Sequence, residues 1–206
     1  SKNEYVFLLR KKYFETLDVP ENCKKILADF RHYSFSEQIN LTNLFKNIKP
    51  DLVHFPHFNV PIFFKGKYVV TIHDLLMHKQ VGLRATTLPP FFYFIKRLGY
   101  KFVFRNAVLN ARQIIVPTNV VKKEIEDYYQ VQSDKIKVVY EGFDEDSFNK
   151  VVKSQDVSKY NLRCQYFVYT GNAYPHKNLD RLVEAIASLN KGRGEFVNLA
   201  VVTSRN

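Results

Sequence analysis

The sequence predicts an α/β protein built from parallel, doubly wound sheets and divided between two domains. Three observations carry this. Short β-branched and aromatic runs alternate with amphipathic helical stretches along the chain, the pattern of strand–helix–strand crossovers. The strand candidates are continuous apolar runs rather than alternating ones, as in a sheet covered on both faces. Between Asp144 and Arg163 the chain turns polar and charged, and the strand–helix pattern restarts at Tyr166.

Taken in order, residues 5–9 (YVFLL) read as a buried strand. Over residues 37–48, Ile39, Leu41, Leu44, Phe45 and Ile48 fall close to one helical stripe. Pro50 ends that helix, because proline restricts the residue before it and lacks an N–H. Residues 51–55 and 67–72 (KYVVTI) are the next strands. Pro89 and Pro90 precede a long helix reaching about Asn110, and a strand follows at 114–116. Thr118 or Asn119 then caps a helix to about Tyr129, since either side chain can accept from the unpaired N–H groups of the first turn. Residues 136–140 form a strand, and residues 144–163 read as an interdomain connection. A strand at 166–170, a helix over 178–190 and a strand at 196–203 complete the pattern. The domains are therefore expected at residues 1–143 and 164–206. One strand–helix–strand unit is too little to enclose a core, so the second domain is expected to be incomplete within this chain.

Composition narrows the partners. A hydrophobic fraction of 46% gives ample apolar material to bury, which excludes a disordered chain. The 31 Lys and Arg against 20 Asp and Glu leave a charge of +11, which favours nucleic acid, an acidic lipid surface or a phosphorylated small molecule. No run of 18 apolar residues suggests a membrane-spanning helix. Cys23 and Cys164 read as buried apolar residues of a reducing compartment, with a disulfide as the alternative. The chain opens on Ser1 within apparent secondary structure, so a targeting segment ahead of it stays open.

Two loops carry candidate chemistry. In YFVYTGNAYPHKNL, a strand ends at Gly171 and a helix begins near Asn178. Ligands of open parallel sheets sit at the C-terminal ends of the strands, and a helix N-terminus offers N–H groups and partial positive charge to a phosphate. Lys177 at that terminus opposes the helix dipole, so an anion shared by both would account for it; the alternative is an exposed loop lysine. The second loop is Thr71-Ile72-His73-Asp74, where His73 leaves the C-terminal edge of the clearest strand. Either His73 is functional there, or backbone or Asp74 satisfies it. His54, His57, His73 and His78 match no standard zinc spacing, so no metal site is expected.

Five stretches, KPDLVHFPHF, YVVTIHDL, ARQIIVPTNVVKKEI, DKIKVVYEGFD and YFVYTGNAYPHKNLDRLVEAI, span roughly residues 49–203. In this order and spacing they resemble glycosyltransferase family 4, a retaining family with two facing Rossmann-like domains in the glycosyltransferase B-type fold. The last stretch is similar to mannosyltransferase-like members that build bacterial surface polysaccharides. The resemblance implies transfer of a hexose, mannose included, from a nucleotide-diphosphate sugar to a hydroxyl acceptor on a glycan or lipid-linked carrier. The donor is a substrate, so no cofactor is implied. Lys177 matches the lysine that binds the donor diphosphate, with Gly171 and Asn172 beside it; Asn172 stands where many members carry an arginine. His73 matches a cleft histidine near the transferred sugar. Glu141-Gly142 stands where Asn-Gly is frequent and is given no catalytic role. The glycine-rich loop of the family would precede Ser1 and its acidic motif would follow Asn206, so this piece alone is expected to be inactive.

From Leu75 to Lys123 there is no Asp or Glu but nine Lys and Arg, interleaved with PPFFYFIKRLGYKFVF. This stretch fits either contact with an anionic membrane surface or a core helix whose basic residues face water. The first reading would place the protein peripherally on the inner, cytoplasmic face of a membrane. Competing readings of the whole are a non-catalytic nucleotide- or phosphosugar-binding module and a nucleic-acid-binding protein, although no nucleic-acid recognition motif is present.

Overall fold

A computed structural model describes residues 3–79, 89–145, 160, 162 and 165–203. Most of the expected connection at 144–163 lies outside them, as do Arg84 and Cys164. The chain divides into two compact units, and passes from the first to the second at Glu141 and Gly142. Among the described residues every strand pairing is parallel.

In the first unit, β1 (Tyr5–Leu9) pairs with β2 (Cys23–Leu27). Periodicity misses β2, because Lys24 and Lys25 break its apolar run. Lys25 Nζ donates to the carbonyls of Phe14 and Leu17 at 2.8 and 2.9 Å, which ties down the connection holding α1 (Lys11–Phe14). α2 (Phe35–Ile48) starts two residues earlier than its apolar stripe suggests. Ser34 caps it, its Oγ accepting from the Glu37 N–H at 3.1 Å, as in a Ser-x-x-Glu capping box. The buried Glu37 carboxylate reaches one residue further back and accepts from the Tyr33 N–H at 2.7 Å and from Asn59 Nδ2 at 2.6 Å.

The main sheet has the order β3 (Val53–Phe55), β4 (Tyr68–Thr71), β5 (Gln113–Val116), β6 (Ile136–Val138). α3 (Leu76–Lys79) and α4 (Pro90–Asn110) lie between β4 and β5 in the chain, and α5 (Asn119–Tyr129) between β5 and β6. Thr118 is the cap of α5, its hydroxyl accepting from the Val121 N–H at 3.2 Å. Val70, Ile72, Phe104, Ile114, Ile125 and Ile136 are buried in one core, each contributing about 1.5–3 kcal/mol by leaving water. The Tyr68 hydroxyl donates to carbonyls at the end of α4, 3.0 Å to Ala107, and burial pushes its pKa up to about 12. His78 is also core: Tyr129 Oη lies 2.5 Å from Nε2 and Tyr100 Oη 2.8 Å from Nδ1.

α4 has two apolar faces. Phe104, Ala107 and Val108 turn into the core and are fully buried. Phe91, Phe94, Ile95, Leu98 and Phe102 are 55–72% exposed, and their spacing of three and four places them on one stripe.

In the second unit, β7 (Tyr166–Thr170) pairs with β8 (Asn198–Val202), with α6 (Leu179–Leu189) between them in the chain. The Asn190 side chain clamps the approach to β8, donating to the Val197 carbonyl and accepting from its N–H, both at 2.9 Å. Phe167, Val168, Val183 and Val202 remain more than half exposed, so the described residues of this unit bury little of their apolar surface.

Candidate functional site

The C-terminal edge of the main sheet gathers polar side chains because four parallel strands end there together. The backbone N–H of Ile72 still pairs with the Ile115 carbonyl at 2.9 Å, and the next residue, His73, leaves the sheet. Its Nδ1 lies 3.0 Å from Glu141 Oε1 and its Nε2 3.2 Å from the Pro56 carbonyl. Asp74 does not satisfy the ring. Its Oδ1 accepts from the Leu76 N–H at 2.9 Å and starts α3. The His73 side chain is 49% exposed and that of Glu141 68%, so the pair is open to solvent.

Other imidazoles crowd this edge. The His57 ring packs on Phe58 at 4.1 Å and edge-on to Tyr33 at 6.0 Å. Burial, and then the positive charge of a protonated His73, hold the His57 pKa below its ordinary value. His32 Nδ1 contacts Glu37 Oε1 at 3.0 Å, so the buried carboxylate that starts α2 also fastens the loop before it. His54 Nε2 meets Thr71 Oγ1 at 2.8 Å. Among the described residues, no group of three His, Cys, Asp or Glu side chains could hold a metal ion.

In the second unit the candidate loop runs from the end of β7 to α6. Gly171 has φ +144° and its N–H donates to the Val202 carbonyl at 3.1 Å; that left-handed backbone suits glycine. The Tyr169 hydroxyl donates to the Asn172 carbonyl at 2.7 Å and fixes the bend. A 3₁₀ turn, Pro175–Lys177, comes before the helix. The helix therefore starts one residue later than expected. Asn178 stands at its cap with φ 52°, a left-handed conformation that Asn tolerates. Its side chain makes no capping hydrogen bond, so it does not occupy the unpaired N–H groups of the first turn. Lys177 is exposed immediately before that cap. Gly171, Asn172 and Lys177 thus share one loop of the second unit, and His73 belongs to the first.

Sequence reasoning missed two partners of His73. Glu141 follows the apolar run of β6 and was given no catalytic role, yet that position places it on the same edge as His73. The Pro56 carbonyl carries no side-chain signal at all.

The model of Glycosyltransferase Family 4 matches residues 13–147, more than half of the chain. The O-antigen chain mannosyltransferase RfbU of Salmonella typhimurium is 26% identical over 176 residues, covering 84% of this chain and 42% of its own length. The chain thus spans about two fifths of that curated relative. A crystal structure of a glycosyltransferase from Rickettsia africae ESF-5 aligns over 90% of this chain and 56% of its own, with 16% identity and a TM-score of 0.43.

Proposed function

Because the chain belongs to Glycosyltransferase Family 4, we propose that the whole protein transfers a hexose from a nucleotide-diphosphate sugar to a hydroxyl acceptor, with retention at the anomeric carbon. The observation that carries this is the position of the candidate residues. His73 follows β4 and the Gly171–Lys177 loop follows β7, both at C-terminal ends of parallel strands, where such sheets bind ligands.

In this reading Lys177 and the N-terminus of α6 receive the diphosphate. Charge grows on the leaving nucleoside diphosphate as the glycosidic bond breaks, and a cation placed there acts most in the transition state. Asn172 can donate a hydrogen bond but no charge, which leaves Lys177 as the principal cation of the loop. His73 serves the transferred sugar or its acceptor. Mannose as the sugar, and a polysaccharide or lipid-linked glycan as the product, are supported by the likeness to the O-antigen chain mannosyltransferase of Salmonella typhimurium.

A peripheral place on the inner face of an anionic membrane belongs to the same reading. None of the described helices is long and apolar enough to cross a membrane. The outer stripe of α4 offers a shallow apolar contact instead, with Lys96, Arg97 and Lys101 on the same helix and no carboxylate from Leu75 to Lys123.

The test is transfer of radiolabelled sugar by the full-length protein from a panel of nucleotide-diphosphate sugars, GDP-mannose among them, to glycan and lipid-linked acceptors. Transfer, or donor hydrolysis that depends on His73 and Lys177, supports the enzyme. Nucleotide-sugar binding without either reaction points to a non-catalytic module, and salt-sensitive oligonucleotide binding alone points to a nucleic-acid partner.

A further inference from the structure

We propose that Glu141 is a positioning residue for His73, holding the imidazole by Nδ1 so that Nε2 is the nitrogen that meets a sugar hydroxyl. The inference rests on the glycosyl-transfer reading, in which His73 faces the sugar or its acceptor.

The geometry starts from strand order. β4 and β6 are not neighbours, since β5 lies between them, so their ends stand about 9–10 Å apart, two strand spacings. His73 lies just beyond β4 and Glu141 just beyond β6. Val139 still pairs with the Val116 carbonyl at 2.9 Å, which keeps the chain in register almost to Glu141. The glutamate and the imidazole therefore reach toward each other over the end of β5 and meet at 3.0 Å. On the other side the ring meets the carbonyl of Pro56, just past β3. One ring thus spans the sheet edge from β3 to β6.

The chemistry of the two partners sets what the ring can do. A carboxylate and a carbonyl only accept, so each contact needs a hydrogen on the ring nitrogen it faces, and a neutral ring keeps one contact of the two. His78 differs, because its two tyrosine hydroxyls can each donate or accept. Of the two contacts on His73, the one to Glu141 is shorter and charge-assisted, and the one to Pro56 is longer and neutral. A hydroxyl entering the half-exposed site therefore replaces the Pro56 carbonyl at Nε2, and Glu141 keeps Nδ1. The contact is open to solvent and adds little to stability, so the carboxylate acts on the orientation and tautomer of the ring rather than on folding.

The experiment uses the full-length enzyme with the donor and acceptor that support transfer, and compares Glu141→Ala, Glu141→Gln, His73→Ala and the double variant Glu141→Ala/His73→Ala. Glu141→Ala should lower kcat roughly tenfold, mid-range for the coupling of two residues in one hydrogen-bonded pair. KM for the nucleotide sugar and Tm should stay unchanged. Glu141→Gln should recover most of the rate, because its amide oxygen still accepts from Nδ1–H. In the His73→Ala background, loss of Glu141 should cost nothing further. Nitrogen shifts of the His73 ring should report Nδ1–H in the wild type and in Glu141→Gln, and a change of tautomer in Glu141→Ala. Wild-type kcat in Glu141→Ala with an impaired His73→Ala would overturn the proposal and leave the parent reading standing, as would losses that multiply in the double variant. Wild-type transfer by His73→Ala would remove the parent reading itself.

Discussion

His78 sits between two tyrosine hydroxyls, with Phe104 edge-on at 4.5 Å. Burial, and then the positive charges of Lys101 and Arg97, push its pKa from 6.5 down to about 4. The folded state therefore binds fewer protons than the unfolded chain between these values, and stability falls as pH drops from 6.5 toward 4. Urea unfolding of the full-length protein across that window should show this slope, and His78→Gln should flatten it. Gly66 makes a second prediction. A Cβ at this position would collide with the Phe64 ring, which packs on Phe45 at 4.8 Å and Phe55 at 5.8 Å. Gly66→Ala should cost about 1–3 kcal/mol, the usual penalty of overpacking, measured by the same unfolding. Neither feature was legible in the sequence. His78 stood among four histidines with nothing to single it out, and only its partners on α4 and α5 mark it as core. His73 was legible, because a strand ending in a polar pair announces a sheet edge. Its partner was not, since contact between residues 73 and 141 is made by strand order and not by spacing.

At the scale of elements, the strands and helices that carry a continuous apolar run or a clear stripe were legible, β1, β4, α5 and β7 among them; β4 and α5 bury theirs, whereas most of β1 and β7 stays exposed, against the buried strand expected at 5–9. Their ends shifted where polar chemistry decides. Ser34 starts α2 ahead of its apolar stripe, and Pro175 inserts a 3₁₀ turn ahead of α6. β2 was missed because Lys24 and Lys25 break its apolar run, Lys25 serving carbonyls of α1 and its turn. α4 had two readings in the sequence; the core reading holds for its inner face, and its outer face exposes an apolar stripe. Phe104 is core, while Phe91, Phe94, Leu98 and Phe102 line the opposite side. Co-sedimentation of the full-length protein with vesicles should therefore rise with anionic lipid and fall with salt. Changing Lys96, Arg97 and Lys101 to Glu should weaken binding by roughly 100-fold or more, at about 1 kcal/mol per basic residue removed. Equal partitioning onto neutral and anionic vesicles, or none, would leave the stripe to another part of the protein.

At the scale of the whole molecule, parallel sheets in both units follow from strand–helix alternation, and family membership adds the chemistry that a fold alone does not specify. The first unit carries a buried core, and the second presents the Gly171–Lys177 loop on a strand pair whose apolar faces stay largely open among the described residues. In the proposed reaction this loop, through Lys177, stabilises a departing nucleoside diphosphate. Steady-state transfer by full-length Lys177→Ala, with its Tm measured alongside, tests that most directly. A loss in kcat of about 100-fold or more is expected, as for removal of one group that meets developing charge, at unchanged Tm. Transfer at the wild-type rate would contradict it.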